Sequence, residues 1–205
     1  MYVLGLTGGI ATGKSTIAKT MAQRGFPIWD ADAAAREVVK PGRPGNDALR
    51  LAFGRDFFRA DGTLKRKALA AHVFGDVDKL RLLNETVHPA ILQDLQEHLT
   101  WWQREAREVV VIDAPLLFET GIERYCDEVW VASCGIDAQL DRLLERDGLD
   151  EQEAQRRIDA QMPDAERRAR GQRVIDTSGP VEETVRFVQV LLDELLEELG
   201  ACGEK

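Results

Sequence analysis

The chain is 205 residues long, 44% hydrophobic and 31% charged, which sets the expectation of one α/β domain with insertions and a real buried core. A net charge of −9 argues against wrapping long nucleic acid, which needs a basic stripe, but leaves room for a local cationic site. Three cysteines, Cys126, Cys134 and Cys202, show no C-x-x-C spacing, which argues against a disulfide framework or a structural zinc and fits a reducing cytosol. No leader-like amino terminus or bilayer-length apolar run is legible, so no membrane association is expected and the location is read as cytoplasmic.

The first apolar run, Tyr2–Leu6, reads as a strand. After it, Gly8, Gly13, Lys14 and Ser15 fit G-x-x-x-x-G-K-S/T, the phosphate-cradling loop of nucleotide-binding proteins. An amphipathic helix is expected from Ser15 to Arg24, stopped by Gly25 in left-handed geometry. Backbone N–H groups of such a loop, with the positive end of the helix, form an anion site. The expected nucleotide-binding residues are therefore Gly9, Ile10, Ala11, Thr12, Gly13, Lys14, Ser15 and Thr16. Lys14 should reach the β- and γ-phosphates of ATP, and the Ser15 hydroxyl should hold Mg²⁺.

Pro27–Trp29 reads as the second strand and runs into Trp29-Asp-Ala-Asp32. Ligands of open α/β sheets bind beyond the carboxyl ends of strands. Asp30 or Asp32 could join the metal shell, take a proton from an attacking hydroxyl, or merely cap the helix Ala33–Lys40. Residues 32–102 then form a long helical stretch, broken by Pro41-Gly-Arg-Pro-Gly45, Asp61-Gly62 and His88-Pro89. It is too long for an ordinary crossover and reads as an inserted helical subdomain.

Glu108–Ile112 reads as a buried central strand ending at Asp113, a Walker-B arrangement that would position Mg²⁺ directly or through water. Turn hydrogen bonding is the plainer role for Asp113, and Glu119 is a weaker candidate. Strands are also expected at Glu128–Ala132 and Arg173–Ile175. Between residues 139 and 173 stand Arg142, Arg146, Arg156, Arg157, Arg167, Arg168, Arg170 and Arg173, a local reversal of charge in an acidic chain. They read either as a salt-bridged surface or as a lid whose cations cover the developing charge and exclude water. The three histidines are too scattered for a metal site. Pro180 suits the first turn of a last helix, whose stripe is Val181, Val185, Val188, Leu192, Leu195 and Leu199.

Taken together, "GLTGGIATGKST", "DADAAAREVV", "DGTLKRKALAAHVF", "LNETVHPAI", "VVVIDAPLLFETG", "RLLERDGLDEQEAQRRIDAQM" and "VIDTSG" resemble the dephospho-CoA kinase family, in order and spacing, from Val3 to about Leu196. The resemblance implies a nucleotide-kinase-like P-loop fold, a parallel five-stranded sheet flanked by helices with a helical substrate insertion and an Arg-rich lid. The implied layout is a nucleotide core at about 1–32, 103–137 and 173–200, a helical CoA-substrate region at about 33–102 and a lid at about 138–172. It implies ATP-dependent phosphorylation of the ribose 3′-hydroxyl of dephospho-CoA, the final step of coenzyme A biosynthesis. Asp32 is then the general base. Lys14, Arg142 and Arg146 join it in catalysis, and Arg142 also contacts ATP. Arg36, Arg66 and His88 fall in or near the substrate region, and Arg157, borne on the lid with Arg142 and Arg146, is assigned to substrate binding beside them and Asp32.

Two departures stand out. Ala11-Thr12 replaces a common Gly-Ser, so residue 11 is expected to have an ordinary negative φ. Thr177 replaces a common Asn, which bears on adenine recognition. The rival readings are a nucleoside monophosphate kinase or other small-molecule P-loop kinase, and a GTPase switch, for which the N-K-x-D guanine motif is missing. Oligomeric state, monomer or small homo-oligomer, is left open.

Overall fold

In the computed structural model, which describes residues 1–203 and the side chains of residues 1–200, each expected apolar run is a strand. In chain order the elements are β1 (Tyr2–Gly8), α1 (Lys14–Gln23), β2 (Ile28–Asp30), α2 (Ala31–Glu37), α3 (Pro44–Phe53), α4 (Arg66–Val73) and α5 (Val77–Arg104). They continue with β3 (Val109–Asp113), β4 (Glu128–Ser133), α6 (Ile136–Asp147), α7 (Glu151–Asp159), α8 (Asp164–Arg170), β5 (Arg173–Asp176) and α9 (Val181–Gly203). The sheet order is β2-β3-β1-β4-β5, with β1 parallel to both β3 and β4, and β4 parallel to β5. The chain leaves β1 in one direction to β3 and in the other to β4. The loop after β1 therefore opens at the switch point of the sheet, where open α/β folds bind ligands.

Two compact units partition the chain, residues 1–28 with 108 onward, and residues 29–107. In the first, Leu4, Leu6, Val109, Val111 and Trp130 of the strands pack against Ile17 and Met21 of α1 and Val188, Leu192 and Leu195 of α9. These β-branched and aliphatic runs lack polar alternation because helices cover the sheet, and each full burial is worth roughly 1.5–3 kcal/mol. The α9 stripe begins later than expected. Val181 is exposed and Thr184 takes the buried place. At the edge, Glu128 is nearly buried and accepts from Tyr2 Oη at 2.8 Å, Trp130 Nε1 at 2.8 Å and Arg173 Nε at 2.7 Å. A buried carboxylate with this many donors is fully satisfied.

The second unit is helical. Val38, Val39, Leu49, Phe58, Leu69 and Val73 form its core, with α2, α3 and α4 packed on α5. Asn46, buried among them, donates to the carbonyls of Val39 and Gly62 at 2.8 and 3.1 Å and so closes the loop before α4. The expected break at His88-Pro89 does not occur, since Pro89 lies inside the 28-residue α5. Its missing N–H leaves the carbonyl of Glu85 without a helical donor. Leu83, Val87, Ala90 and Ile91, on both sides of Pro89, pack against the core of this unit and carry the helix past that loss. Among the described residues no helix is long and apolar enough to cross a membrane.

Candidate active site

β1 delivers the chain into the glycine-rich loop, and α1 begins at Lys14. Gly8 admits no side chain, because a Cβ there would stand 2.6 Å from Thr12 Oγ1 and 2.8 Å from the Ala132 carbonyl. Gly13 is left-handed at φ 79°. Ala11 is left-handed too, at φ 59°, which overturns the expected negative φ. The loop needs that turn whichever residue supplies it, and a non-glycine residue held there costs about 1–3 kcal/mol.

Several side chains hold the strained turn. Thr12 Oγ1 donates to the Gly9 carbonyl at 2.8 Å. Arg142 Nη1, from α6, donates to the Ala11 carbonyl at 3.1 Å, and its Nη2 donates to the Thr177 carbonyl. Thr177, directly after β5, is buried and donates from Oγ1 to the Thr12 carbonyl at 2.6 Å. The departures at residues 11, 12 and 177 are thus neighbours in one network, and Thr177 packs against Gly13.

The Lys14 ammonium pairs with the Asp113 carboxylate, both side chains largely buried. Asp113 therefore sits at the base of the loop, at the end of β3. Ser15 is exposed in the first turn of α1, where the helix dipole and free N–H groups favour an anion. Two side chains missed in the sequence complete the loop's surroundings. Gln161 Oε1 accepts from the N–H of Ile10 at 2.7 Å, and Gln139 Nε2 donates to the Ile10 carbonyl at 2.8 Å. Glutamines at these places carry no sequence signal, since the helical pattern alone treats them as ordinary polar positions.

The Arg-rich segment divides. Arg142 is drawn onto the loop, whereas the exposed Arg146 pairs with Asp147 at 2.8 Å and the exposed Arg157 with Glu153 at 3.1 Å. The hydrogen bond from Arg146 lowers the Asp147 carboxyl, and those from Arg156 and Arg157 lower Glu153. Glu119 lies 3.7 Å from Arg167. Burial raises the Cys134 thiol, which lies 3.6 Å from Arg142 Nη1. Cys126 and Cys134 are free thiols, and the side chain of Cys202 lies outside the described residues.

In the helical unit, Asp30 caps α2 by accepting from the N–H groups of Asp32 and Ala33 at 2.8 and 3.0 Å. The cap role therefore falls on Asp30. The exposed Asp32 carboxylate has no hydrogen bond among the described residues. Arg66 Nη2 donates to the Arg36 carbonyl at 2.8 Å, bringing those two candidates together. His88 Nε2 is buried without a partner.

The chain matches the family described as dephospho-CoA kinase over residues 2–183. It is 43% identical over 185 residues to the dephospho-CoA kinase of Shouchella clausii, covering 90% of this chain and 94% of that one. A crystal structure from Thermus thermophilus superposes with a TM-score of 0.79 at 32% identity, covering 95% of this chain and 97% of the other. The dephospho-CoA kinase of Campylobacter jejuni shares the fold, with a TM-score of 0.65 at 22% identity over 94% of this chain and 96% of the other. The loop geometry, the parallel sheet and these likenesses agree, and the chain belongs to the dephospho-CoA kinase family.

Proposed function

We propose that the chain transfers the γ-phosphoryl group of ATP to the ribose 3′-hydroxyl of dephospho-CoA, giving CoA and ADP, the final step of coenzyme A biosynthesis. The observation that carries this reading is the division of labour between Asp30, spent on the α2 cap, and Asp32, whose exposed carboxylate has no hydrogen-bond partner among the described residues. Family membership supports the acceptor.

In the proposed reaction Asp32 orients the hydroxyl and takes its proton. The oxygen attacks the γ-phosphorus, and the bond from that phosphorus to the β,γ-bridging oxygen breaks. Positioning and electrostatics do most of the work in such transfers. The loop N–H groups and Lys14 hold the phosphates. Arg142 is assigned to the nucleotide side, where it already engages the Ala11 carbonyl of the loop. Arg146 and Arg157 join as lid cations by exchanging their carboxylate partners for phosphate oxygens. Arg36, Arg66 and His88 are assigned to substrate binding or to shaping that region.

Ser15 and Asp113 are the residues that fit Mg²⁺. An exposed hydroxyl and one carboxylate suit an ion that keeps several waters and takes further oxygens from phosphates. Among the described residues no group of three or more His, Cys, Asp or Glu is placed to hold a metal ion. When bound, the ion neutralises charge on the β- and γ-oxygens. The same reading assigns a nucleotide core at about 1–32, 103–137 and 173–200, a substrate region at about 33–102, a lid at about 138–172 and a cytoplasmic location.

The test is turnover with ATP–Mg²⁺ and dephospho-CoA beside AMP, CMP and dTMP. CoA formation is expected, and preference for a monophosphate overturns the reading.

A further inference from the structure

Arg167, on α8, is 2% exposed, and its Nε and Nη2 are buried without hydrogen-bond partners. Its nearest carboxylate, Glu119, lies 3.7 Å from Nη2, too far for a hydrogen bond. Arginine cannot shed its charge, and a buried guanidinium whose Nε and Nη2 donate no hydrogen bond, with a single carboxylate at ion-pair distance, is incompletely satisfied and gains from a further anion. What lies beside it is the phosphate loop. A Cβ on Gly9 would stand 3.2 Å from Arg167 Nη1, 3.1 Å from Gln139 Nε2 and 3.3 Å from Gln161 Oε1. Those same two glutamines grip the N–H and carbonyl of Ile10. Three side chains from the stretch between α6 and α8 thus converge on the first two residues of the loop. Arg167, Gln139 and Gln161 also line a cavity of about 500 Å³ with Ser133, Asp164 and Asp176.

We propose that Arg167 is a positioning residue for the polyphosphate: a fixed cation lodged behind Gly9 that holds the opening of the loop and is neutralised when the anion arrives. The glutamines fix the Ile10 peptide from outside. They leave the loop's inner N–H groups for the ligand, and the guanidinium supplies the field that favours its negative charge. The inference rests on reading the loop as the ATP site and names a residue that motif matching does not single out.

The experiment measures the affinity of the whole protein for β,γ-imido-ATP with Mg²⁺, together with the thermal midpoint of the free protein. Arg167→Met is expected to weaken binding tenfold or more without lowering the midpoint of the free protein, because a buried charge is removed. Arg167→Lys is expected to stay within about threefold of the parent by keeping the charge. Unchanged affinity of folded Arg167→Met overturns the proposal, whatever its midpoint. If that variant fails to fold, Gly9→Ala decides. Residue 9 has no left-handed φ, so the added Cβ acts by pressing on Nη1, Gln139 and Gln161. Weaker binding supports the proposal and unchanged binding overturns it. Parent turnover of dephospho-CoA, measured in parallel, reports on the proposed activity separately. Its absence with intact analogue binding removes the acceptor and leaves Arg167 in place.

Discussion

The Thr177 hydroxyl donates to the Thr12 carbonyl at 2.6 Å, so one side chain ties the residue after β5 to the turn of the phosphate loop. Thr12 is almost wholly buried, and its carbonyl loses this donor if the hydroxyl is removed. Thr177→Val, nearly the same shape, is expected to cost about 1–3 kcal/mol and to raise the KM for ATP. Thr177→Ser should keep most of both. Urea denaturation and initial-rate kinetics measure them, and an unaffected Val variant removes the brace.

Ala11 stands at φ 59°, where glycine is comfortable and alanine is not. Ala11→Gly is therefore expected to stabilise the free protein by about 1 kcal/mol, read as a higher denaturation midpoint. A lower midpoint would mean that the network around residues 11, 12 and 177 relieves the strain completely.

The two aspartates of the Asp30-Ala-Asp32 stretch should separate by assay. Asp32→Asn is expected to lower kcat by about 10²–10⁴-fold with ATP affinity and stability retained. Asp30→Ala should cost about 1 kcal/mol of stability through the lost cap of α2. Near-normal kcat in Asp32→Asn removes it from the role of base.

Lys14→Ala is expected to weaken nucleotide binding and to lower kcat by about 10²–10³-fold together, since the same ammonium meets ground-state and transition-state phosphate charge. Calorimetric titration and kinetics distinguish this from a change in kcat alone.

Stability should fall on the alkaline side. Burial, then the hydrogen bond and charge of Glu128, pushes the Tyr2 phenol from 10.0 to about 12, and burial pushes the Cys126 thiol from 9.0 to about 12. A group whose folded pKa is raised contributes stability that is fully present below its unfolded pKa and is lost as pH rises through the folded one. The window is thus about pH 9–12. Denaturation curves across it should decline, less steeply in Tyr2→Phe/Cys126→Ala, and a flat profile contradicts the account. In the folded protein Cys126 should also resist iodoacetamide at pH 8.5, because the thiolate is the nucleophile.

The strands were legible because buried parallel strands are short runs of Val, Ile and Leu, and "VVVID" carries Asp113 at its carboxyl end, where the strand stops. Gly25 is left-handed at φ 92°, as its place after α1 required. Ala11 was misread because residue type sets only the cost of a left-handed turn, while the loop's closure sets the need for it. The His88-Pro89 signal failed for a similar reason, since local propensity yields to the packing of a long helix. Neither the glutamines on Ile10 nor the burial of Arg167 could be read ahead. They depend on which side chains the fold brings to the loop, and nothing in the spacing of residues 139, 161 and 167 encodes that meeting.

The four tryptophans fall unevenly. Trp130 is fully buried in the unit that carries the loop, its indole bonded to Glu128, while Trp29, Trp101 and Trp102 belong to the helical unit. Excitation of indole therefore gives the molecule two optical channels. A variant with Phe at 29, 101 and 102 glows from Trp130 in the first unit alone, and Trp130→Phe glows from the second unit alone. Melting each one separately tells whether the halves of this enzyme lose their structure as one cooperative body or as two.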